Sequence, residues 1–264
     1  MAPAGNMEKV QIALAYGADA VYVGADGFSL REYANLSRGE LKKAIKYVHE
    51  RGKKIYVAVN LFAHNKHLNA LPDSLSFLRE EKVDAVIISD AGVFDSIKNI
   101  APEMPVHIST QANITNWASA MFWQQQGARR LILARELSWA EIQEIREKTT
   151  VELEIFVHGA MCLSYSGRCW LSLAMAGRDG NAGDCAQPCR WNYAIVEETR
   201  PGIYFPVETG DRYTAVMSSR DLCLVEEIPE IVKIGLDSIK IEGRMKSSYY
   251  EAVTTRVYQR ILSA

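Results

Sequence analysis

Long apolar runs are missing: no uncharged stretch approaches the roughly 18 residues of a membrane span, and the first residues lack the basic and apolar regions of a signal peptide. A global charge is missing too. With 30 Lys plus Arg against 32 Asp plus Glu the net charge is -2, so no overall field draws in a polyanion and any nucleic-acid surface must be local. Five cysteines in 264 residues is an odd and sparse count, which argues against an extracellular disulfide scaffold and for reduced thiols, metal ligation or redox chemistry. The expectation is a soluble, cytoplasmic protein with no membrane contact. Several catalytic signatures are absent as well: an HExxH metal helix, a GxSxG nucleophile elbow, a convincing phosphate loop or dinucleotide fingerprint, and the CxxxCxxC arrangement of radical enzymes that bind S-adenosylmethionine.

What is present is a core, with 48% hydrophobic residues, and a repeating unit. Short apolar runs rich in β-branched residues fall at 20–24, 54–60, 84–89, 106–110, 130–134, 152–158 and 237–243. Amphipathic helical patterns lie near 37–51, 69–82, 91–99, 115–126, 138–148, 222–234 and 247–262, and a further one follows Asn6. Continuous apolar strands alternating with helices predict a parallel sheet covered on both faces. Counting a stub at Met1–Ala2, eight strands and eight helices give an α/β fold with the element number of a (β/α)8 TIM-like barrel; a doubly wound sheet is the competing arrangement. The expected plan is a single barrel domain over 1–264, its first strand cut short, with a Cys-rich insertion at about 159–218 after strand seven. The segments WNYAIVEE, GIYFPVE and RYTAVMSS in that insertion alternate like short antiparallel strands.

In a barrel, chemistry sits where strands end. The residues there are Asn60, Ser89, Asp90, Thr110, Gln111, Arg135, Glu136, His158, Glu242 and Arg244. Each has a plainer reading: Asp90 and Thr115 suit helix N-caps, and Arg135 with Glu136 suits a solvated pair. His158 is a candidate proton donor or acceptor, although a lone histidine at a barrel mouth is more often simply hydrogen-bonded. Glu154 lies inside strand seven and is expected to point into the core.

The cysteines carry the strongest signal. Six residues separate Cys162 from Cys169, fifteen separate Cys169 from Cys185, and three separate Cys185 from Cys189, in a loop rich in glycine. Four thiolates so grouped make a complete metal site, either a closed tetrahedral zinc or an iron–sulfur cluster; the absence of a CxxC pair suits the cluster better. With four protein ligands no iron would stay open, leaving electron transfer or structure as the role. Cys223, away from the group, reads as a core residue at a helix start.

The segment EIFVHGAMCLSYSGRCWLS resembles the signature of the collagenase-like peptidase family, unassigned-peptidase family 32, through Glu154, Phe156, Gly159, Ala160, Cys162, Gly167, Cys169 and Ser172. APAGN with AYGADAVYVG, KKIYVAVNLFAHN, GRDGNAGDCAQPCRWNY and SIKIEGRMKSSYY extend the likeness over nearly the whole chain. Within the family the pattern is similar to the branch that converts the tRNA wobble uridine to 5-hydroxyuridine in a prephenate-dependent, oxygen-independent reaction. Relatives hydroxylate a ribosomal RNA cytidine or a ubiquinone precursor.

The resemblance implies a [4Fe-4S] cluster on Cys162, Cys169, Cys185 and Cys189, prephenate as co-substrate, and tRNA as partner. It further implies that a small C-terminal β domain of relatives is absent here. Such chemistry needs cations for a dicarboxylate donor and for phosphates; Arg31, Arg168, Arg178, Arg190, Arg244 and Lys246 are the candidates. Tyr165, Trp170 or Trp191 would stack a base, or else cover the cluster and keep water out. His158, Glu154 and Glu242 are the candidate catalytic groups. Proteolysis, which the family name suggests, is the weaker reading because the cysteines are grouped as ligands.

Overall fold

A computed structural model describes residues 1–25, 27–29, 34–162, 164–191, 194–196, 198–206 and 221–263. Strand and helix alternate in the order β1 (Ala2–Pro3), α1 (Met7–Ala15), β2 (Ala20–Ala25), β3 (Asn35–Leu36), α2 (Arg38–His49), β4 (Lys54–Val59), α3 (Asn65–Glu80), β5 (Ala85–Ile88) and α4 (Ala91–Ile100). There follow β6 (Val106–Ile108), α5 (Trp117–Gln125), β7 (Arg130–Ile132), α6 (Trp139–Lys148), β8 (Glu152–Gly159), α7 (Leu171–Ala176), β9 (Ala194–Val196), β10 (Tyr204–Pro206), β11 (Leu222–Cys223), α8 (Ile228–Ile234), β12 (Ser238–Ile241) and α9 (Ser248–Leu262). Short polar side chains start the helices by accepting a backbone N–H: Asn6, Ser37, Asp90, Asn116, Ser138 and Ser247 all do so. Asp90 is therefore a cap as its sequence context suggests, whereas α5 is capped by Asn116 and not by Thr115.

Strands β1, β2, β4, β5, β6, β7 and β8 pair in that order, all parallel, and β12 adds to the far side of β8 in the same sense. The ring then closes. Met1 nitrogen donates to the Ile239 carbonyl at 2.7 Å, Ile241 N donates to the Met1 carbonyl at 3.1 Å, and the Tyr22 hydroxyl reaches the Ile241 carbonyl at 2.9 Å. Eight parallel strands closed on themselves make a (β/α)8 barrel and rule out the doubly wound sheet. The β9–β10 hairpin follows the Cys-rich segment, as the alternation there predicts; the third alternating segment, RYTAVMSS, lies outside the described residues.

The two faces of the strands bury different things. Val21, Val23, Ile55, Val57, Val86, Ile88, Leu131, Leu153 and Ile155 face outward and join the helices in one apolar cluster. Inside, Tyr22, Tyr56, Ala85, Ile87 and Ile132 pack together with Phe156, but they share the interior with buried His107, Glu154 and Lys240. Arg130 bonds Glu152 at 2.9 Å and Glu154 at 3.1 Å, and the Lys240 ammonium stands 3.8 Å from Glu154. Glu154 therefore points into the barrel, as its position within the strand predicts.

Two expectations are corrected here. The helix drawn over 222–234 begins only at Ile228, because Leu222 and Cys223 pair antiparallel with Gly159 and His158 of β8. This leaves Cys223 exposed instead of in the core. His158 also turns out differently. The register between β8 and β12 shifts between Lys240 and Ile241, so Lys240 pairs with Phe156 and Ile241 with His158. The extra residue rotates His158 onto the outer face with Ile241, where its ring lies 5.8 Å from that of Tyr250 and 5.7 Å from that of Tyr258.

On α9, Glu251 is fully buried, and neither carboxylate oxygen finds a hydrogen-bond partner among the described residues. The nearby Lys9 ammonium instead serves the carbonyls of Arg244 (2.9 Å) and Lys246 (2.5 Å). Burial pushes the Glu251 carboxyl up to about 9, so the group is neutral in the fold at pH 7. Because the folded value lies above the unfolded one, stability falls as pH rises from the ordinary carboxylate range through about 9. Glu251→Gln, which stays neutral, should be more stable than wild type by about 1–3 kcal/mol at pH 8 and nearly equal at pH 4.5. Urea unfolding across that range measures the difference.

Candidate active site

At the C-terminal ends of the barrel strands a cavity of about 140 Å³ separates the barrel from the Cys-rich segment. Its floor is Tyr22, Ala58, Ile87, Phe156 and Lys240, and its wall takes Asn60, Ser109, Thr110, Gln111, Arg135, Glu242 and Arg244 from the strand ends. Six of those wall residues are among the positions singled out by reading past each strand. Ser89, Asp90, Glu136 and His158 from the same set do not line the cavity. The wall is tied together: the Gln111 carbonyl oxygen accepts from Ser109 at 2.8 Å and from the Asn60 amide, and Thr110 donates to the Leu133 carbonyl at 3.0 Å.

Arginines hold the lid of this cavity in place. Arg135 donates to the Ala160 carbonyl at 2.7 Å, to the Ser166 hydroxyl at 2.6 Å and towards the Cys162 sulfur at 3.5 Å; it is no solvated surface pair. Arg190 spans the Met161 carbonyl (3.0 Å), the Cys189 sulfur (3.3 Å) and Asp221 (3.3 Å). Arg178 is engaged with Asp184 at 2.7 Å, and Ser172 accepts the Ala186 N–H at 2.9 Å. Gly180 allows close passage of the chain, since a Cβ there would stand 3.2 Å from Cys185 Cβ.

Cys162, Cys169, Cys185 and Cys189 all line the cavity, and all are free thiols. Three of the sulfurs have an N–H donor aimed at them, the third being Gln187 N on Cys185 at 3.4 Å. Burial pushes the Cys189 thiol up against the pull of Arg190, and Cys162 and Cys185 add to the rise. No three His, Cys, Asp or Glu side chains among the described residues converge closely enough to hold a single ion.

The remaining candidates are spread around this centre. Arg244 is buried in the wall, donates to the Ser29 hydroxyl at 2.7 Å, and fits because Gly24 has no Cβ to meet its guanidinium, which would lie 2.5 Å away. Lys246 pairs with Asp221 at 3.4 Å, and Arg168 stands 5.5 Å above the Phe62 ring; neither lines the cavity. Tyr165, Trp170 and Trp191 are exposed, Trp170 at 70%, and do not line the cavity. Glu154 lies beneath the floor with Arg130 and Lys240. His158 is turned outward, with Tyr258 Oη 3.4 Å from its Nδ1, and burial holds its pKa below the ordinary value. Arg31 lies outside the described residues. Lys240 was not singled out by the strand-end reading, because it sits within a strand and not past its end.

The model of peptidase family U32 matches residues 5–264. The chain belongs to this family. The U32 chain is 43% identical to tRNA hydroxylation protein P1 of Bacillus subtilis, over 100% of this chain and 63% of that one. It is 39% identical to tRNA hydroxylation protein P of Escherichia coli, over 99% and 67%. It is 32% identical to the 23S rRNA 5-hydroxycytidine C2501 synthase of Escherichia coli, over 100% and 39%. The chain thus spans about two thirds or less of these curated relatives. The solved structure of a U32 peptidase superposes with a TM-score of 0.59 at 16% identity, over 91% of each chain, which supports the barrel fold.

Arg135→Ala should free the start of the Cys-rich segment from β7. Each bond lost is worth about 1 kcal/mol, so the thermal midpoint should fall by a few degrees. Limited proteolysis should cut within 161–190 faster, giving two fragments that together make up the barrel.

Proposed function

We propose that this U32 chain is the barrel of an RNA-modifying enzyme that hydroxylates C5 of a pyrimidine, the tRNA wobble uridine, in a prephenate-dependent and oxygen-independent reaction in the cytoplasm. One observation carries the reading: the four cysteines line one cavity at the barrel mouth in a chain that shares about 40% identity, from end to end, with proteins named for tRNA hydroxylation. Hydroxylation of a ribosomal RNA cytidine, the activity named for the more distant relative, is the alternative substrate for the same site.

Cys162, Cys169, Cys185 and Cys189 would hold a [4Fe-4S] cluster. Thiols that surround a cavity without meeting at a point, with N–H donors on three sulfurs, suit a polynuclear centre better than a single zinc ion. Such a cluster supplies one-electron chemistry beside the substrate. Arg190 and Arg244 on the cavity surface would bind anionic groups of donor and RNA, while Arg168 and Lys246 lie further out, where phosphates pass. Tyr165, exposed on the lid, offers a face on which an unpaired base stacks. Glu242, in the wall, would accept or donate a proton at the base.

A peptidase mechanism finds less support. No histidine lines the cavity, and no described Ser or Cys side chain is hydrogen-bonded to a histidine. No described helix is long and apolar enough to cross a membrane, in keeping with a site that works on RNA in solution.

Anaerobic purification should yield a brown protein with iron and sulfide. Serine at any one of the four cavity cysteines should lower the iron content several-fold, while Cys223→Ser should leave it unchanged. A colourless, zinc-loaded protein would remove the cluster from the proposal. In a strain deleted for the gene and any paralogue, 5-hydroxyuridine-derived nucleosides should vanish from tRNA by mass spectrometry and return with the wild-type gene; unchanged nucleosides would overturn the wobble-uridine assignment.

A further inference from the structure

We propose that Lys240 is the anchor for a carboxylate group of a small-molecule ligand at the floor of the barrel cavity. Lys240 lies on β12 facing inward and is only 4% exposed, yet it lines the cavity. Its ammonium carries three donors, and Glu154 is its one carboxylate partner among the described residues. The nearest carboxylate oxygen, on Glu154, is 3.8 Å away, and the rings of Tyr22 and Phe156 lie at 4.2 and 5.2 Å. Ring faces and one distant carboxylate only partly offset the cost of burying an ammonium. Glu154 meets Arg130 at 3.1 Å through its other oxygen, Oε2, while Oε1 faces Lys240.

The charge of the cavity surface is lopsided in the same direction. Arg135, Arg190, Lys240 and Arg244 line it, with Glu242 as the single carboxylate. Arg135 and Arg190 direct donors to the lid and Arg244 one to Ser29, whereas the Lys240 ammonium on the floor has only Glu154 and two ring faces near it. A carboxylate entering from the mouth can accept from that ammonium while the rest of the ligand packs on Tyr22, Ile87 and Phe156. Burial lowers Lys240 to about 8; an anion bound there would raise it again.

The inference rests on the proposed function only for prephenate as one of the probes. Calorimetric titration of the full chain with prephenate, benzoate and neutral benzamide tests it. Prephenate and benzoate should bind, and benzamide at least about tenfold more weakly. Lys240→Met should weaken carboxylate binding about 10- to 100-fold at pH 7, with Lys240→Arg retaining part of it. Wild-type affinity should fall about tenfold per pH unit once the pH exceeds about 8, a readout that needs no variant. Because Lys240→Met leaves Glu154 with one cation fewer, the Glu154→Gln/Lys240→Met double variant serves as a second, charge-balanced test and should lose binding equally.

Undiminished affinity in a folded Lys240 variant, a flat pH profile, or failure of both carboxylates to bind wild type would overturn the inference. If both bind without dependence on Lys240, the anchor is wrong and the hydroxylation reading stands. If benzoate binds through Lys240 and prephenate does not, the anchor stands and prephenate is the wrong donor.

Discussion

Glu154 is a fully buried carboxylate, and the barrel is arranged around its neutralisation. It lies on β8 between Arg130 of β7 and Lys240 of β12. In register Glu154 opposes Ile132 on one side and Ser238 on the other, so the two cations stand two residues before and two residues after those partners. Side chains alternate along a strand with period two, and a slip of one residue on either neighbour would send its cation to the outer, apolar face. An unpaired carboxylate would then remain inside, at a cost of several kcal/mol. The pairing therefore fixes the β7–β8–β12 register. That register in turn places the strand ends bearing Arg135, Glu242 and Arg244 around one mouth.

Above that layer the exit of β8 decides where the cysteines go. The bulge opposite β12 rotates His158 outward and brings Gly159 against the Glu242 carbonyl, where a Cβ would lie 2.5 Å away. Gly159 has φ +106°, a conformation open to glycine. The chain then turns over the mouth, and Arg135 fastens it at Ala160, Cys162 and Ser166. Arg190 closes the other end by bonding back to Met161. The thiols thus belong to a lid whose two ends are held by guanidinium groups.

Much of this was legible in the sequence. Period and spacing read out the strands and helices, and the residues past strand ends supplied Asn60, Thr110, Gln111, Arg135, Glu242 and Arg244 of the cavity wall. The grouped cysteines pointed to the lid. What escaped depended on local geometry that composition does not encode. A bulge is one extra residue, and no pattern in EIFVHG marks it, so His158 seemed to face the mouth. Cys223 looks helical in DLCLVEE, but the end of β8, beyond its pairing with β7, takes Leu222–Cys223 as an antiparallel strand and tertiary pairing overrides propensity. For Lys240 the signal was present: Ile239 and Ile241 flank it in an otherwise apolar strand, and a lysine between outward-facing isoleucines must point into the barrel.

Charge balance accounts for a cation at 240 but not for its place on the cavity surface. Arg130 is shared between Glu154 and Glu152, two carboxylates on one guanidinium, so Lys240 also contributes charge balance beside Glu154. Elsewhere the interior is filled by Tyr22, Tyr56, Ile87 and Ile132, which shows that apolar side chains satisfy its volume. Replacing both members of a buried pair with apolar groups is often neutral or stabilising, but an apolar residue at 240 alone would leave Glu154 with one cation fewer. The ammonium adds a desolvation cost, and the floor of the cavity is where that cost can be recovered. Lys240 therefore faces Glu154 on one side and the cavity beneath the four thiols on the other.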